Sequence, residues 1–190
     1  MKRILGLLFI LCLVSAVSFS QGLGLKGIGG GVGFVSVSPT GSSETFSGFL
    51  IAAHADLGEF TKDFSLVPDI EYFSTSKSVS GTSLTVSDFS INVNAHYNIA
   101  MEGMLKPYVG AGLGYNSLSA TVALPSYSVF GVNYGGGTAS ASASRIGINL
   151  LVGGNYKLND MLTLFAEPRY VLASDYNHFE IKVGVTYALK

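Results

Sequence analysis

The sequence predicts an all-β fold, an eight-stranded antiparallel up-and-down transmembrane β-barrel preceded by a cleaved signal peptide. Alternation of apolar and polar residues recurs along the chain, and no sustained helical periodicity interrupts it. Each alternating segment is about ten residues or longer, which is the length of a tilted strand that crosses a bilayer. The apolar side of these segments carries no charge, although 12% of the 190 residues are charged.

The composition supports a membrane-embedded protein and excludes two other classes. Hydrophobic residues make up 48% of the chain, and the charged 12% is about half of what a soluble domain usually has. Beyond the N-terminus no apolar run approaches the roughly 18 to 20 residues that a spanning helix needs, so helical membrane proteins are excluded. The net charge of −1 gives no basic surface for nucleic acid, so we expect no such partner.

Residues 1–20 are predicted to be a secretory signal peptide, which leaves 21–190 as the barrel domain. Lys2 and Arg3 precede an apolar stretch from Ile4 to Val14, and small residues then lead to the expected cleavage after Ser20. An uncleaved anchor is the alternative, disfavoured by the short apolar core. Since the only cysteine lies in this segment, the mature chain is expected to have neither a disulfide nor a thiolate site.

Eight strands follow from the period-two alternation and from the turn-rich stretches of Gly, Ser, Asn, Asp and Pro between them. They are predicted at residues 26–37, 47–58, 64–74, 86–99, 107–118, 144–158, 162–173 and 178–189.

The last strand shows which face is inside. One side carries Phe179, Ile181, Val183, Val185, Tyr187 and Leu189, and the other carries His178, Glu180, Lys182, Gly184, Thr186 and Ala188. An eight-stranded barrel has an interior only just wide enough for side chains. The apolar set is bulky along all strands, with aromatic residues near strand ends, whereas the polar set contains the glycines. The ionised face is therefore predicted to line the lumen and the apolar face to contact lipid.

The links between strands predict the orientation in the membrane. Those after strands two, four and six are short ("EFTKD", "MEGMLK", "ND"), whereas those after strands one, three and five are longer. Membrane barrels have short periplasmic turns and long external loops, so both termini are expected in the periplasm. Residues 119–143 then form the largest external loop, with a hairpin that extends strands five and six beyond the membrane as the alternative. Tyr127, Phe130 and Tyr134 in this segment are candidate contacts for an external ligand of unknown identity.

Three segments resemble a known family. "KPYVGAGLGY" at 106–115, "FAEPRY" at 165–170 and the closing "GVTYALK" resemble the small outer-membrane β-barrel superfamily, the eight-stranded porin-like proteins of Gram-negative bacteria. The resemblance covers the mature chain and implies an outer-membrane location with lipid around the barrel. It also implies that the barrel-insertion machinery reads the terminal strand through Gly184, Tyr187 and Leu189, where Leu189 stands in place of the more usual aromatic.

The charged residues of the luminal face are the main candidate site. They are Asp56, Asp69, Glu71, Arg145, Lys157, Glu167, Arg169, Glu180 and Lys182. Charges in a narrow interior are costly unless they are paired. We therefore expect these side chains to pair as an electrostatic plug, with an ion or proton path as the alternative.

No catalytic, metal or cofactor site is expected. His54, His96 and His178 share the luminal face, but nothing in their spacing enforces metal coordination. "GLGLKG" at 22–27 matches G-x-G-x-x-G, yet it follows the signal segment and opens no helix, so it does not predict a dinucleotide site. His54 and Asp56 are the only short His/Asp pair, and no nucleophile can be singled out beside them.

The predicted function is that of a non-enzymatic integral outer-membrane barrel, an anchor that presents external loops and has a plugged lumen. A narrow porin-like channel is the first alternative, and a lipid-modifying enzyme or a soluble periplasmic lipid-binding barrel are less favoured. The chain ends with the last strand, so we expect no peptidoglycan-binding domain after it.

Overall fold

The computed structural model describes residues 23–39, 45–79, 81–130, 132–174 and 176–189. The predicted signal peptide at 1–20 lies outside these ranges. The strands within them are β1 (Gly27–Pro39), β2 (Phe46–Asp56), β3 (Glu59–Thr61), β4 (Phe64–Val79), β5 (Thr82–Asn98), β6 (Leu105–Val129), β7 (Val132–Lys157), β8 (Leu162–Ala173) and β9 (Tyr176–Ala188).

Eight long strands form a closed antiparallel barrel. Each pairs with its neighbours in the chain, and β1 pairs with β9 to close the sheet. The three-residue β3 lies in the turn between β2 and β4 and pairs only with the start of β4, while β2 pairs directly with β4. The predicted eight-stranded up-and-down barrel is therefore confirmed. Within the described ranges, no helix is long and apolar enough to cross a membrane.

The apolar face of the strands points outward, as predicted. Phe49, Ile51 and Val183 are 82%, 61% and 52% exposed, while the residues that alternate with them point into the lumen. Because side chains alternate across a strand, one register places the whole apolar set on the outside. The result is a continuous apolar belt around the barrel.

Glycine makes room where luminal side chains are large. A Cβ on Gly112 would lie 2.2 Å from Asn94 Oδ1, and a Cβ on Gly184 would lie 2.2 Å from the carbonyl oxygen of Gly30. Both distances are too short for any larger residue without movement of the neighbour. The glycines of the inner face thus permit close packing in a narrow lumen.

The external ends of β4 to β7 extend beyond the predicted strands. For the segment 119–143 the hairpin alternative is the one observed: β6 and β7 continue as paired strands, with Phe130 at the tip. Likewise, β4 and β5 extend to Val79 and Thr82. Small Ser, Thr, Ala and Gly residues hide the alternation from hydropathy, but backbone pairing continues through them. We call residues 74–79, 82–87, 117–129 and 132–144 the external lobe.

Candidate functional site

Arg169 on β8 is the centre of the charged interior. Its side chain is 1% exposed and makes ion pairs with carboxylates from three strands. Its guanidinium nitrogens lie 2.6 Å from Asp69, 3.1 Å from Glu71, 2.8 Å from Glu167 and 3.2 Å from Glu180. The planar guanidinium has five N–H donors, which allows it to serve several carboxylates at once.

Lys182 on β9 is the second cation of this group. Its ammonium nitrogen contacts Glu71 and lies 3.1 Å from Glu167 and 3.5 Å from Glu180. These six residues, which we call the central ionic layer, therefore combine four carboxylates with two cations in the middle of the lumen.

The strand register explains how the central ionic layer forms. Glu167 faces Lys182, and Arg169 faces Glu180, as directly opposite pairs on β8 and β9. Opposite charges at such positions attract each other. Asp69 and Glu71 reach the same point from β4 across the lumen.

Neutral donors complete the layer. Asn92 and Asn94 donate to the Asp69 carboxylate at 2.6 and 2.8 Å, and Tyr108 donates its hydroxyl proton to Glu167 at 2.9 Å. Asn149 in turn donates to the side-chain oxygens of Asn92 and Asn94 at 3.1 and 3.0 Å. These buried asparagines were not among the predicted site residues, although the alternation of "NVNAHYN" in β5 places Asn92 and Asn94 on the charged face.

An apolar cluster fills the lumen on the external side of the ionic layer. This luminal apolar cluster consists of Val35, Val37, Phe46, Leu50, Phe73, Val86 and Tyr176. The Tyr176 hydroxyl donates to Asp88 at 3.2 Å. This cluster differs from the prediction of a polar interior throughout. The signal was present, since Val35 and Val37 alternate with the outward-facing Phe34.

A cavity of about 510 Å³ lies in the half of the lumen next to the short turns, the end predicted to face the periplasm. Its walls include His54, Asp56, His96, Lys106 and Tyr108, and Arg169 and Lys182 are also part of its lining. The cavity therefore reaches the central ionic layer from the periplasmic turns. Beyond that layer lies the luminal apolar cluster.

Three of the predicted network residues lie outside the central ionic layer. Asp56 accepts a hydrogen bond from the Gly58 amide at 2.8 Å. Arg145 donates to the Ser144 carbonyl at 2.9 Å. Lys157, 57% exposed, pairs with Asp160 at 2.7 Å. That hydrogen bond lowers the pKa of the Asp160 carboxyl. Asp56 and Lys157 are the last residues of β2 and β7, whereas Arg145 lies in the middle of the long β7. Alternation gives the face of a residue but not its depth in the lumen.

The other predicted residues are distributed as follows. Gly184 faces inward against Gly30, whereas Tyr187 and Leu189 are 41% and 36% exposed on the outer surface. Phe130 is fully exposed at the hairpin tip. The backbones of Tyr127 and Tyr134 pair across the hairpin, while their side chains lie outside the described part of the structure.

The three histidines are engaged separately. His54 shares a hydrogen bond of 2.9 Å with Thr186 and is not joined to Asp56. His96 stacks on Tyr108 with ring centroids 4.4 Å apart, and His178 stacks on Tyr176. Among the described residues, no group of three or more His, Cys, Asp or Glu side chains is placed to hold a metal ion.

A closed barrel with an apolar exterior and buried ion pairs in its lumen is an integral membrane β-barrel. Residues 5–188 match the family model of the outer membrane protein beta-barrel domain, and the chain belongs to this family. It is an outer-membrane protein, and lipid surrounds its barrel. No curated protein matches the chain.

Solved outer-membrane barrels share the fold. Neisserial surface protein A is 20% identical, with a TM-score of 0.61 over 89% of this chain and 100% of that one. The attachment invasion locus protein Ail of Yersinia pestis is 16% identical, with a TM-score of 0.54 over 88% of this chain and 99% of that one. A major outer membrane protein of Thermus thermophilus is 11% identical, with a TM-score of 0.52 over 85% and 99% of the two chains.

Proposed function

We propose that the protein is a non-enzymatic outer-membrane anchor with a closed lumen, which presents its external lobe to the surroundings. The observation that carries this proposal is that two different layers of side chains obstruct the lumen. The central ionic layer and the luminal apolar cluster lie one above the other across the barrel. An ion would have to displace paired charges and then pass desolvated apolar side chains, and both steps are costly.

The arrangement of the described polar residues supports a non-enzymatic role. His54 and Asp56 have separate partners: His54 shares a hydrogen bond with Thr186, and Asp56 accepts one from the Gly58 amide. A histidine that serves as a general base needs a partner that orients it and a nucleophile within hydrogen-bond reach. The Thr186 hydroxyl lies within that reach, but among the described residues the Asp56 carboxylate that would orient the His54 ring accepts from the Gly58 amide instead, and the ring contacts Phe165 edge-on at 5.0 Å.

A narrow channel is the second candidate because the cavity of about 510 Å³ already reaches Arg169 from the periplasmic side. Conductance of the purified protein in planar bilayers separates the two functions. We expect no steady current from the unmutated protein. Sustained channels without mutation would replace the anchor with a pore.

Variants that open the two layers separately sharpen this test. Glu167→Ser with Arg169→Ser removes part of the ionic layer, and Phe73→Ser with Val86→Ser opens the apolar cluster. Neither pair alone should conduct, because the other layer stays closed, whereas the four changes together should. Only variants that keep heat-modifiable gel mobility are compared, so that a barrel that fails to close is not counted.

A further inference from the structure

Each strand of the external lobe carries three hydroxyl residues on alternate positions. These are Ser74, Ser76 and Ser78 on β4, followed by Ser83, Thr85 and Ser87 on β5. On β6 and β7 the same pattern is Ser117-x-Ser119-x-Thr121 and Ser140-x-Ser142-x-Ser144. Alternation on a strand places the three residues of each set on one face.

The register aligns the four sets into rows. Ser74, Ser87, Ser119 and Ser142 are successive cross-strand partners. One step further out, Ser76, Thr85, Thr121 and Ser140 form a second row. Neighbouring strands are about 4.8 Å apart and successive rows about 6.8 Å apart, so the hydroxyl groups form a regular grid. We call this surface the hydroxyl face.

The hydroxyl groups of this grid are already ordered by each other. The Ser76 and Thr85 oxygens are 2.8 Å apart, and those of Thr121 and Ser140 are 3.0 Å apart. A hydroxyl has one donor and two acceptor positions, so each pair keeps free hydrogen-bonding capacity. Such preorganisation lowers the entropic cost of binding a ligand.

The hydroxyl face continues the lipid-facing surface directly. On β6, the outward-facing residue next to Ser117 on the membrane side is Tyr115, whose hydroxyl donates to Ser144 at 2.9 Å. On the same face of β7, the neighbour of Ser144 on the membrane side is Ile146, which is 61% exposed. The change from apolar to hydroxyl side chains therefore takes place within one row, at the outer boundary of the apolar belt.

The hydroxyl face is also uncharged. In the described strands of the external lobe, Lys77 occupies the opposite face, and its ammonium group lies 6.0 Å from the ring of Phe46 on the inner side. A solvent-exposed surface usually carries about a quarter charged residues. Neutral hydroxyl groups without cations suit neutral sugar hydroxyls better than phosphate, which proteins bind through Arg, Lys or backbone amides.

We infer that the hydroxyl face binds the neutral sugar headgroups of glycolipids in the outer leaflet. Such headgroups lie immediately above the acyl chains, at the level where the hydroxyl face begins. This inference rests on the outer-membrane location and not on the closed lumen, so the failure of either proposal leaves the other intact.

Lipid retention in mixed bilayers tests the inference. The full chain is reconstituted in phosphatidylcholine with digalactosyl diacylglycerol, and the lipids that remain bound are counted by native mass spectrometry. We expect glycolipid enrichment over its bilayer fraction by about fivefold, a ratio that a few weak net hydrogen bonds can supply. A matched bilayer with anionic phosphatidylglycerol should show no enrichment of that lipid.

Two variants locate the effect. Ser119→Ala, Thr121→Ala, Ser140→Ala and Ser142→Ala together should abolish the enrichment, with heat-modifiable mobility retained. The control, Thr82→Ala with Ser126→Ala, removes hydroxyl groups of the opposite face and should keep it. The inference is overturned if glycolipid is not enriched, if the fourfold variant retains the enrichment, or if phosphatidylglycerol is enriched equally. It is equally overturned if the fourfold change only weakens self-association, since the face would then be an interface between copies.

Discussion

Arg169 is the residue on which the central ionic layer depends most, because it contacts all four of its carboxylates. Lys182 alone cannot replace it, since a single ammonium group would then face Asp69, Glu71, Glu167 and Glu180. Removing one partner of a buried ion pair leaves uncompensated charge, which costs more than the pair itself contributes.

Arg169→Ala should lower the free energy of unfolding by about 3 kcal/mol or more. Urea unfolding in detergent micelles or lipid vesicles measures this change. Lys157→Ala is the matched control, because Lys157 is 57% exposed and pairs with Asp160 in a turn, so its removal should have little effect. Equal destabilisation by the two variants would contradict the central role of Arg169.

Gly184→Ala distinguishes the role of Gly184 in close packing of the barrel from its predicted role in the assembly signal. A Cβ at this position would lie 2.2 Å from the Gly30 carbonyl oxygen, so we expect the variant to refold poorly into lipid vesicles without any insertion machinery. Gly154→Ala is the control, because the nearest atom to its Cβ is a Leu105 methyl group at 3.3 Å. A defect of Gly184→Ala seen only in cells would instead indicate the assembly signal.

At the scale of the strand, β9 brings together the two environments of the barrel. Val183 is 52% exposed on the lipid side, while its neighbour Lys182 is buried in the central ionic layer. A shift of one residue in register would exchange these two environments for every side chain of the strand. The pairing of β9 with both β1 and β8 fixes the register from both sides.

Val183→Arg should cost about 2 to 4 kcal/mol, the range for a cation at the lipid-facing midplane of a barrel. Thr186→Ala on the luminal side removes one hydrogen bond with His54 and should cost about 1 kcal/mol. Equilibrium unfolding of both variants in lipid vesicles provides the comparison. If Thr186→Ala proved the more costly, the two faces of β9 would have to be reassigned.

At the scale of the whole molecule, the barrel is asymmetric along its axis. The turns "MEGMLK" and "ND" at the end predicted to face the periplasm are short, whereas the external lobe extends β6 and β7 to Val129 and Val132. The lumen has the same asymmetry, with the cavity on the periplasmic side and the luminal apolar cluster on the external side.

Chymotrypsin added to intact cells should cleave after Phe130, which is fully exposed and has a positive φ of 49° at the hairpin tip. Exposed loop tips are preferred sites of proteolysis. The two fragments should stay together in the barrel until boiling, and Phe130→Ser should remove the cut. Cleavage of intact cells in the "EFTKD" turn instead would reverse the orientation in the membrane.

The membrane strands and their two faces could be predicted from the order of residues alone. A period of two and the exclusion of charge from one side are local properties, so Phe179 and Ile181 could be assigned to lipid and Glu180 to the lumen without knowledge of the neighbouring strands. The same pattern does not resolve small residues, so it left open whether residues 119–143 form a loop or a hairpin, and it missed the external ends of β4 and β5.

The contacts between luminal side chains, in contrast, depend on how the barrel closes. Asp69 and Arg169 are 100 residues apart in the chain, and their contact depends on strand tilt and stagger around the closed barrel. Lys157 and Arg145 also occupy inward-facing positions of their strand, but they lie at other depths along the barrel axis than the central ionic layer. Alternation specifies the face of each residue, while closure of the barrel sets its height and its partner across the lumen.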